Sequence, residues 1–186
     1  MPKPKLELTS EQLAALQAGD TAVFKLLFEE FQPRLYRFLW LKLRAVEQAE
    51  DLVQETFLRF WNARSQLRPG GNIEIYLFRI ASNLATDVLR RPKRENNRLE
   101  LETQSHPAAP AADQAIESEQ LADMIAEFVA AMPEGPRTAF ILSRYENLSH
   151  AEIAKIMELS VKTVEKHIGK ALRLLREKLV ELGVRA

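Results

Sequence analysis

From Thr9 to Arg91 apolar residues recur three and four positions apart, and nowhere in this stretch do apolar and polar residues alternate for a useful length. A period near 3.6 gives a helix one buried face and a period of two gives a strand one, so a chain that shows only the first is confined to helix-on-helix packing. The periodicity lapses in RPKRENNRLELETQSHPAAPAADQ, Arg91 to Gln114, where Pro, Asn, Ser and Ala gather. That segment reads as a linker, of a length that also allows ordering on a partner. The helical pattern resumes in IESEQLADMIAEFVAAM, breaks at the prolines and glycine of PEGP, and continues to the end. No internal repeat is visible. The expected fold class is all-α: two small helical bundles, residues 1–94 and 116–186, joined by a flexible linker over 95–115.

With 186 residues, 46% of them hydrophobic, the chain is long enough to bury a real core. No apolar run approaches the roughly eighteen residues needed to cross a bilayer, and the start MPKPKLELTSEQ lacks the apolar stretch of a signal peptide. A cytoplasmic location is expected. Without cysteine there is no disulfide framework and no thiolate site, and His106, His150 and His167 lie far apart in sequence. No metal, cofactor or small-molecule substrate is expected.

The net charge of zero conceals segregation. Lys plus Arg against Asp plus Glu number 8 and 9 over residues 1–60, 8 and 4 over 61–100, 0 and 7 over 101–135, and 10 and 6 over 136–186. Two basic blocks flank an acidic one, which suggests two surfaces for a polyanion separated by a segment that a polyanion would repel.

The second basic block contains NLSHAEIAKIMELSVKTVEKHIGKALRLLREKL. Ser149 and Glu152 make a capping box for a short helix that buries Ile153, Ile156 and Met157. A turn at Glu158 and Leu159 follows, and Ser160 is positioned to cap a longer helix. Val161, Val164, Ile168, Leu172, Leu175 and Leu179 are expected to face its core. Lys162, Thr163, Glu165, Lys166, Gly169, Lys170 and Arg173 then lie outside. Cationic donors, one acceptor and a small residue on the first half of a helix suit the DNA major groove. An ordinary helical hairpin with a solvated charged face has the same pattern.

In AEDLVQETFLRFWN, Ala49, Leu52, Val53, Thr56 and Phe60 form an inward face, while Asp51, Gln54, Glu55, Leu58 and Asn62 point away. Leu58 is thus an outward leucine among acids and an amide, either a scattered surface leucine or the centre of a docking face for a partner helix.

In NIEIYLFRIASNLATDVLRRPKR, Ile73, Leu77, Ile80, Ala81, Leu84 and Val88 face inward, and Arg79, Asn83, Thr86 and Arg90 form a stripe on the far side with Tyr76 adjoining. The loop WNARSQLRPGGN upstream brings Arg64 and Arg68. Cations that track phosphates, beside a ring that can stack on a base, suit single-stranded nucleic acid, and a solvated helix face is the alternative.

Taken in order, these stretches resemble the extracytoplasmic-function sigma factors of bacterial RNA polymerase, within the sigma-70 family. AEDLVQETFLRFW is similar to region 2.2, YLFRIASNLATDVLRR to regions 2.3 and 2.4, and AMPEGPRTAFILSRYENLSHAEIAKIMELSVKTVEKHIGKAL to region 4. Tyr76 stands where the family commonly has tryptophan, and Pro136 falls in the first turn of a region 4 helix, where proline is tolerated.

The resemblance implies that Asp51, Gln54, Glu55 and Leu58 dock on the clamp helices of the largest subunit of core RNA polymerase. It implies capture of the melted −10 non-template strand by Asn62, Arg64, Arg68, Tyr76, Arg79, Asn83, Thr86, Arg90 and Arg91. The −35 duplex of the promoter DNA would be read by Glu165, Lys166 and Lys170, with Lys162, Thr163 and Arg173 on phosphates. The acidic linker would thread the RNA-exit path, and an anti-sigma factor is a further implied partner.

A response regulator also ends in a helix-turn-helix, but its receiver needs alternating strands and a phosphoacceptor aspartate, and the first ninety residues carry no strand pattern. A helical enzyme needs convergent nucleophiles, acids or metal ligands, and none of the usual constellations is present.

Overall fold

A computed structural model describes residue 6, residues 8–90 and residues 124–181. The linker segment, Arg91 and His106 lie outside the described residues. Among those described there is no strand, and no helix is long and apolar enough to cross a membrane.

The first bundle consists of α1 (Ser10–Ala18), α2 (Thr21–Leu43), α3 (Val46–Asn62), a 3-10 turn (Arg64–Gln66) and α4 (Ile73–Arg90). Thr9 and Gln12 close a capping box at the start of α1. The helix stops at Gly19, whose φ of 97° is one that side chains with a Cβ rarely adopt. The next residue, Asp20, caps α2 by accepting from Ala22 N and Val23 N.

Pro33 lies within α2 and removes one backbone donor. The helix nevertheless continues, because Leu27, Phe31, Leu35 and Phe38 on both sides of the proline are locked into one core. Val53, Phe57 and Phe60 of α3 meet them from one side, and Leu77, Phe78, Ala81 and Ala85 of α4 from the other. Phe38 and Phe78 sit edge to face at 5.5 Å. Taking each of these rings out of water contributes about 1.5–3 kcal/mol.

The second bundle consists of α5 (residues 124–131), α6 (Glu134–Arg144), α7 (His150–Met157) and α8 (Val161–Glu181). Pro136 does sit in the first turn of α6. The Ser149–Glu152 capping box forms, Glu158 takes the left-handed conformation that ends α7, and Ser160 Oγ accepts from Thr163 N to start α8.

The core of this half joins Ile141 and Leu142 of α6, Ile153 and Ile156 of α7, and Val164 and Ala171 of α8. Two residues expected in it, Val161 and Leu172, are exposed instead. The buried seam of α8 is centred on Val164 and Ala171, with Ile168 and Leu175 beside it. At 100° per residue Val161 and Leu172 stand at the edge of that seam, so the helix is rotated toward its smallest apolar residue, which permits close approach to α6.

The two bundles pack on each other, α4 against α7 and α2 against α6.

Candidate nucleic-acid interface

On α3, Asp51, Gln54 and Leu58 are exposed, Leu58 with 54% of its surface open to water. Phe57 and Thr56 are buried beneath that face, so the leucine stands on a rigid platform. Glu55 is half-buried and accepts from Arg59 Nε at 2.6 Å.

Past α3 the chain turns, and the side chains expected to line a −10 site separate into two sets. Asn62, Arg68, Asn83 and Arg90 are exposed. Tyr76 and Arg79 are half-buried, with the Arg79 guanidinium 5.4 Å from the centre of the Tyr76 ring. Together with Leu13, Leu67 and Arg68 they line a cavity of about 350 Å³, held at its rim by Gln17, which donates to the Leu67 carbonyl at 2.7 Å. A ring, two guanidinium groups and an apolar floor fit an unstacked base with its phosphate.

Two expected members are engaged elsewhere. The Arg64 guanidinium lies 4.2 Å over the Trp61 ring and donates to the Trp61 carbonyl at 2.9 Å. That packing turns it into the fold rather than out of the loop. Thr86 is half-buried, accepts from Lys42 Nζ at 2.9 Å and donates to Glu134, so the stripe on α4 is interrupted at its middle.

On α8, Lys162, Glu165, Lys166, Lys170 and Arg173 are exposed. Thr163 is half-buried against Ser160, the two hydroxyls 2.8 Å apart. Glu165 lies 3.8 Å from His150 Nδ1, and Arg173 3.7 Å from Glu177. At such exposure these contacts leave the charges available to a partner. His167 is half-buried and packs on α6 so closely that a Cβ at Gly135 would come within 2.7 Å of its ring. It is a packing residue, and Gly135 makes room for it.

Sequence reasoning missed the ionic groups between the bundles. Glu146, its side chain 0% exposed, accepts from Arg34 Nε at 2.9 Å and from an Arg37 terminal nitrogen at 2.6 Å. Arg34 also pairs with Glu74. Burial works to lower the Arg34 pKa, but the bonds and charges of Glu74 and Glu146 outweigh it and hold it above its ordinary value. Lys42, fully buried, donates to the Ser82 carbonyl at 3.2 Å and to Thr86, 3.5 Å from Glu134. Arg137 donates to the Lys42 carbonyl at 2.6 Å. A single acid or base in a helical pattern carries no mark of burial. The left-out signal was an arginine pair at 34 and 37, one turn apart on the same helix face.

Burial brings the Lys42 ammonium down to about 8; Glu134 opposes that shift, and the nearby charges of Arg137 and Arg90 reinforce it. Unfolded, the same group titrates near 10.5, so between these values the unfolded chain holds more protons. Stability is therefore expected to rise as pH climbs from about 8 to 10.5, with the cost of the buried charge present in full below that window. Urea denaturation at steps across it measures the rise, and Lys42→Met is expected to flatten it.

Among the described residues, no three His, Cys, Asp or Glu side chains are grouped to hold a metal. Residues 27–95 match the model for Sigma-70 region 2, and residues 122–175 that for Sigma-70, region 4. The chain is 30% identical over 164 residues to the RNA polymerase sigma factor CarQ of Myxococcus xanthus, which covers 88% of this chain and 93% of that one. It is 24% identical over 184 residues to the ECF RNA polymerase sigma factor SigW of Bacillus subtilis, 94% and 98% of the two chains.

Among solved structures, CnrH in complex with the cytosolic domain of CnrY superposes with a TM-score of 0.71 at 22% identity, covering 92% of this chain and 96% of that one. The sigma factor RpoE in complex with the anti-sigma factor NepR from Bartonella quintana superposes at 0.67, also at 22% identity, covering 84% and 96%. Two sigma-70 regions in order, and relatives matched nearly end to end, place this chain among the extracytoplasmic-function sigma factors of the sigma-70 family.

Proposed function

We propose that this sigma factor docks on the clamp helices of core RNA polymerase through Asp51, Gln54, Glu55 and Leu58. It captures the melted −10 non-template strand along Asn62, Arg68, Tyr76, Arg79, Asn83 and Arg90, with Arg91, outside the described residues, continuing the basic run. Arg64 supports the loop from within, and Thr86 joins the stripe once Glu134 is displaced. The −35 duplex is read by α8. The working division is residues 1–94 for docking and −10 capture, 95–115 as tether, and 116–186 for −35 reading. The observation that carries this reading is the order along one chain: a helix with an exposed leucine, then a helix with an arginine and amide stripe, then a capped helix-turn-helix with cations on its second helix.

Sigma factors are regulatory, non-catalytic subunits, and this chain supplies promoter choice to an enzyme that others build. It acts in the cytoplasm, where the polymerase works. An anti-sigma factor is proposed as a further partner, because RpoE of Bartonella quintana was solved bound to one. The test is a mixing experiment with core RNA polymerase and a genomic fragment library. Promoter-dependent transcripts that need this protein are expected, and an unchanged transcript pattern would refute the reading.

A further inference from the structure

Arg68 leaves the chain from a tight turn. Arg68, Pro69, Gly70 and Gly71 are closed by Gly71 N, which donates to the Arg68 carbonyl at 3.0 Å, and Gly70 has a φ of 74°. Proline in the second place and a positive φ in the third are the requirements of a type II turn. A Cβ at Gly71 would come within 3.0 Å of the Arg68 carbonyl oxygen. The turn therefore has a fixed shape, and its direction is set by what holds its two ends.

At the far end Asn72 Oδ1 accepts from Ile75 N at 3.0 Å and ties the turn to the start of α4. At the near end the Leu67 carbonyl, on the peptide that leads into Arg68, accepts from Gln17 Nε2 at 2.7 Å. That donor lies 50 residues earlier, on α1. Leu13 and Leu16 are the buried residues of α1; Leu16 enters the core of the first bundle, while Leu13 lines the cavity of about 350 Å³ shared with Tyr76, Arg79 and Arg68. The helix ends at Gly19, where a Cβ would stand 3.6 Å from the Arg64 guanidinium. Helix α1 thus supplies one wall of the cavity and, through Gln17, a hold on the turn at its mouth.

We propose that Gln17 is a positioning residue for −10 recognition: by holding the Leu67–Arg68 peptide it aims the Arg68 guanidinium at the cavity that Tyr76 and Arg79 line, and so sharpens base choice at a single −10 position without touching the strand. The inference rests on the −10 reading above. A guanidinium kept in one place leaves a wrong base unpaired, whereas one on a swinging turn can follow it.

Gln17→Met keeps the length of the side chain and removes its donor, and Gln17→Lys restores a donor. Holoenzyme made with each variant is bound to fork-junction promoter fragments that carry every single-base change through the −10 element. Gln17→Met is expected to lower discrimination at one position by about two- to ten-fold, the range of one neutral hydrogen bond. Gln17→Lys is expected to recover most of it. An equal loss at every position, unchanged discrimination, or no recovery with lysine would overturn the proposal. Wild-type holoenzyme that discriminates at no −10 position would instead refute the −10 reading on which it rests.

Hydrogen exchange in the free protein gives a readout without DNA or core polymerase. In Gln17→Met the amides within residues 63–72 are expected to exchange about two- to ten-fold faster, at unchanged rates in the buried turns of α2 and α4. Faster exchange throughout would mark a general loss of stability, and unchanged exchange in the loop would show that the bond holds nothing. Either result refutes the positioning role.

Discussion

Leu58→Glu is expected to weaken binding to core RNA polymerase by about 1–3 kcal/mol, roughly 5- to 150-fold in dissociation constant, at unchanged helical content. The side chain is more than half exposed, so the free protein loses only part of one leucine's apolar burial when it changes. In the complex the same leucine would sit at the centre of a face whose rim is Asp51, Gln54 and Glu55. There a carboxylate would be desolvated against an apolar pocket beside two acids already present. The neighbours beneath, Thr56 and Phe57, are buried, and Thr56 Oγ1 donates to the Leu52 carbonyl at 2.6 Å, so the helix is not free to rotate the new charge away. Titration of labelled protein with core polymerase checks it; normal helicity with wild-type affinity would remove Leu58 from the interface.

Replacing Glu165 or Lys170 by alanine is expected to cost roughly 1–3 kcal/mol against the preferred base at one or two −35 positions, leaving other positions unaffected. Both side chains are exposed on the first half of α8. Lys166 and Lys170, one turn apart, would be donors to guanine, and Glu165 would be the acceptor for a cytosine amino group. Arg173→Ala, farther along the helix, is expected to weaken all promoters alike and to reduce the salt dependence, because a phosphate contact fixes register without reading sequence. Binding to a library of −35 variants at two salt concentrations measures both. Equal losses at every site for Glu165→Ala and Lys170→Ala would undo the division.

The helices and their inward faces were legible because burial leaves a periodic trace: Val53, Phe60, Leu77 and Ala81 are buried as their spacing requires. The exposed leucine at 58 and the caps at Ser149 and Ser160 were legible for the same local reason. On α8 the trace misled, since Ala171, hardly a signal in a periodic count, sets the seam and leaves Leu172 outside. Two side chains expected on the DNA face make other contacts in the folded chain, one local and one long-range. Arg64 is captured by the ring three residues before it, and Thr86 by Lys42 and Glu134, which are 44 and 48 residues away. Charge segregation suggested surfaces kept apart, whereas the bundles meet through paired acids and bases. Long-range pairing of single charges is a property of the packed chain and leaves no local period.

The helix-turn-helix fixes its own geometry with local bonds: the box at Ser149, the left-handed Glu158, and the Ser160 hydroxyl at the start of α8. A reading helix held this way reaches the groove already ordered, so docking loses little backbone entropy at the encounter, and more of the contact energy is left to discriminate between bases. Rigid presentation also makes association a matter of orientation and charge steering, with salt acting chiefly on the on-rate. Promoters that differ in their −35 bases would accordingly be sorted by how long the protein stays and hardly at all by how fast it arrives.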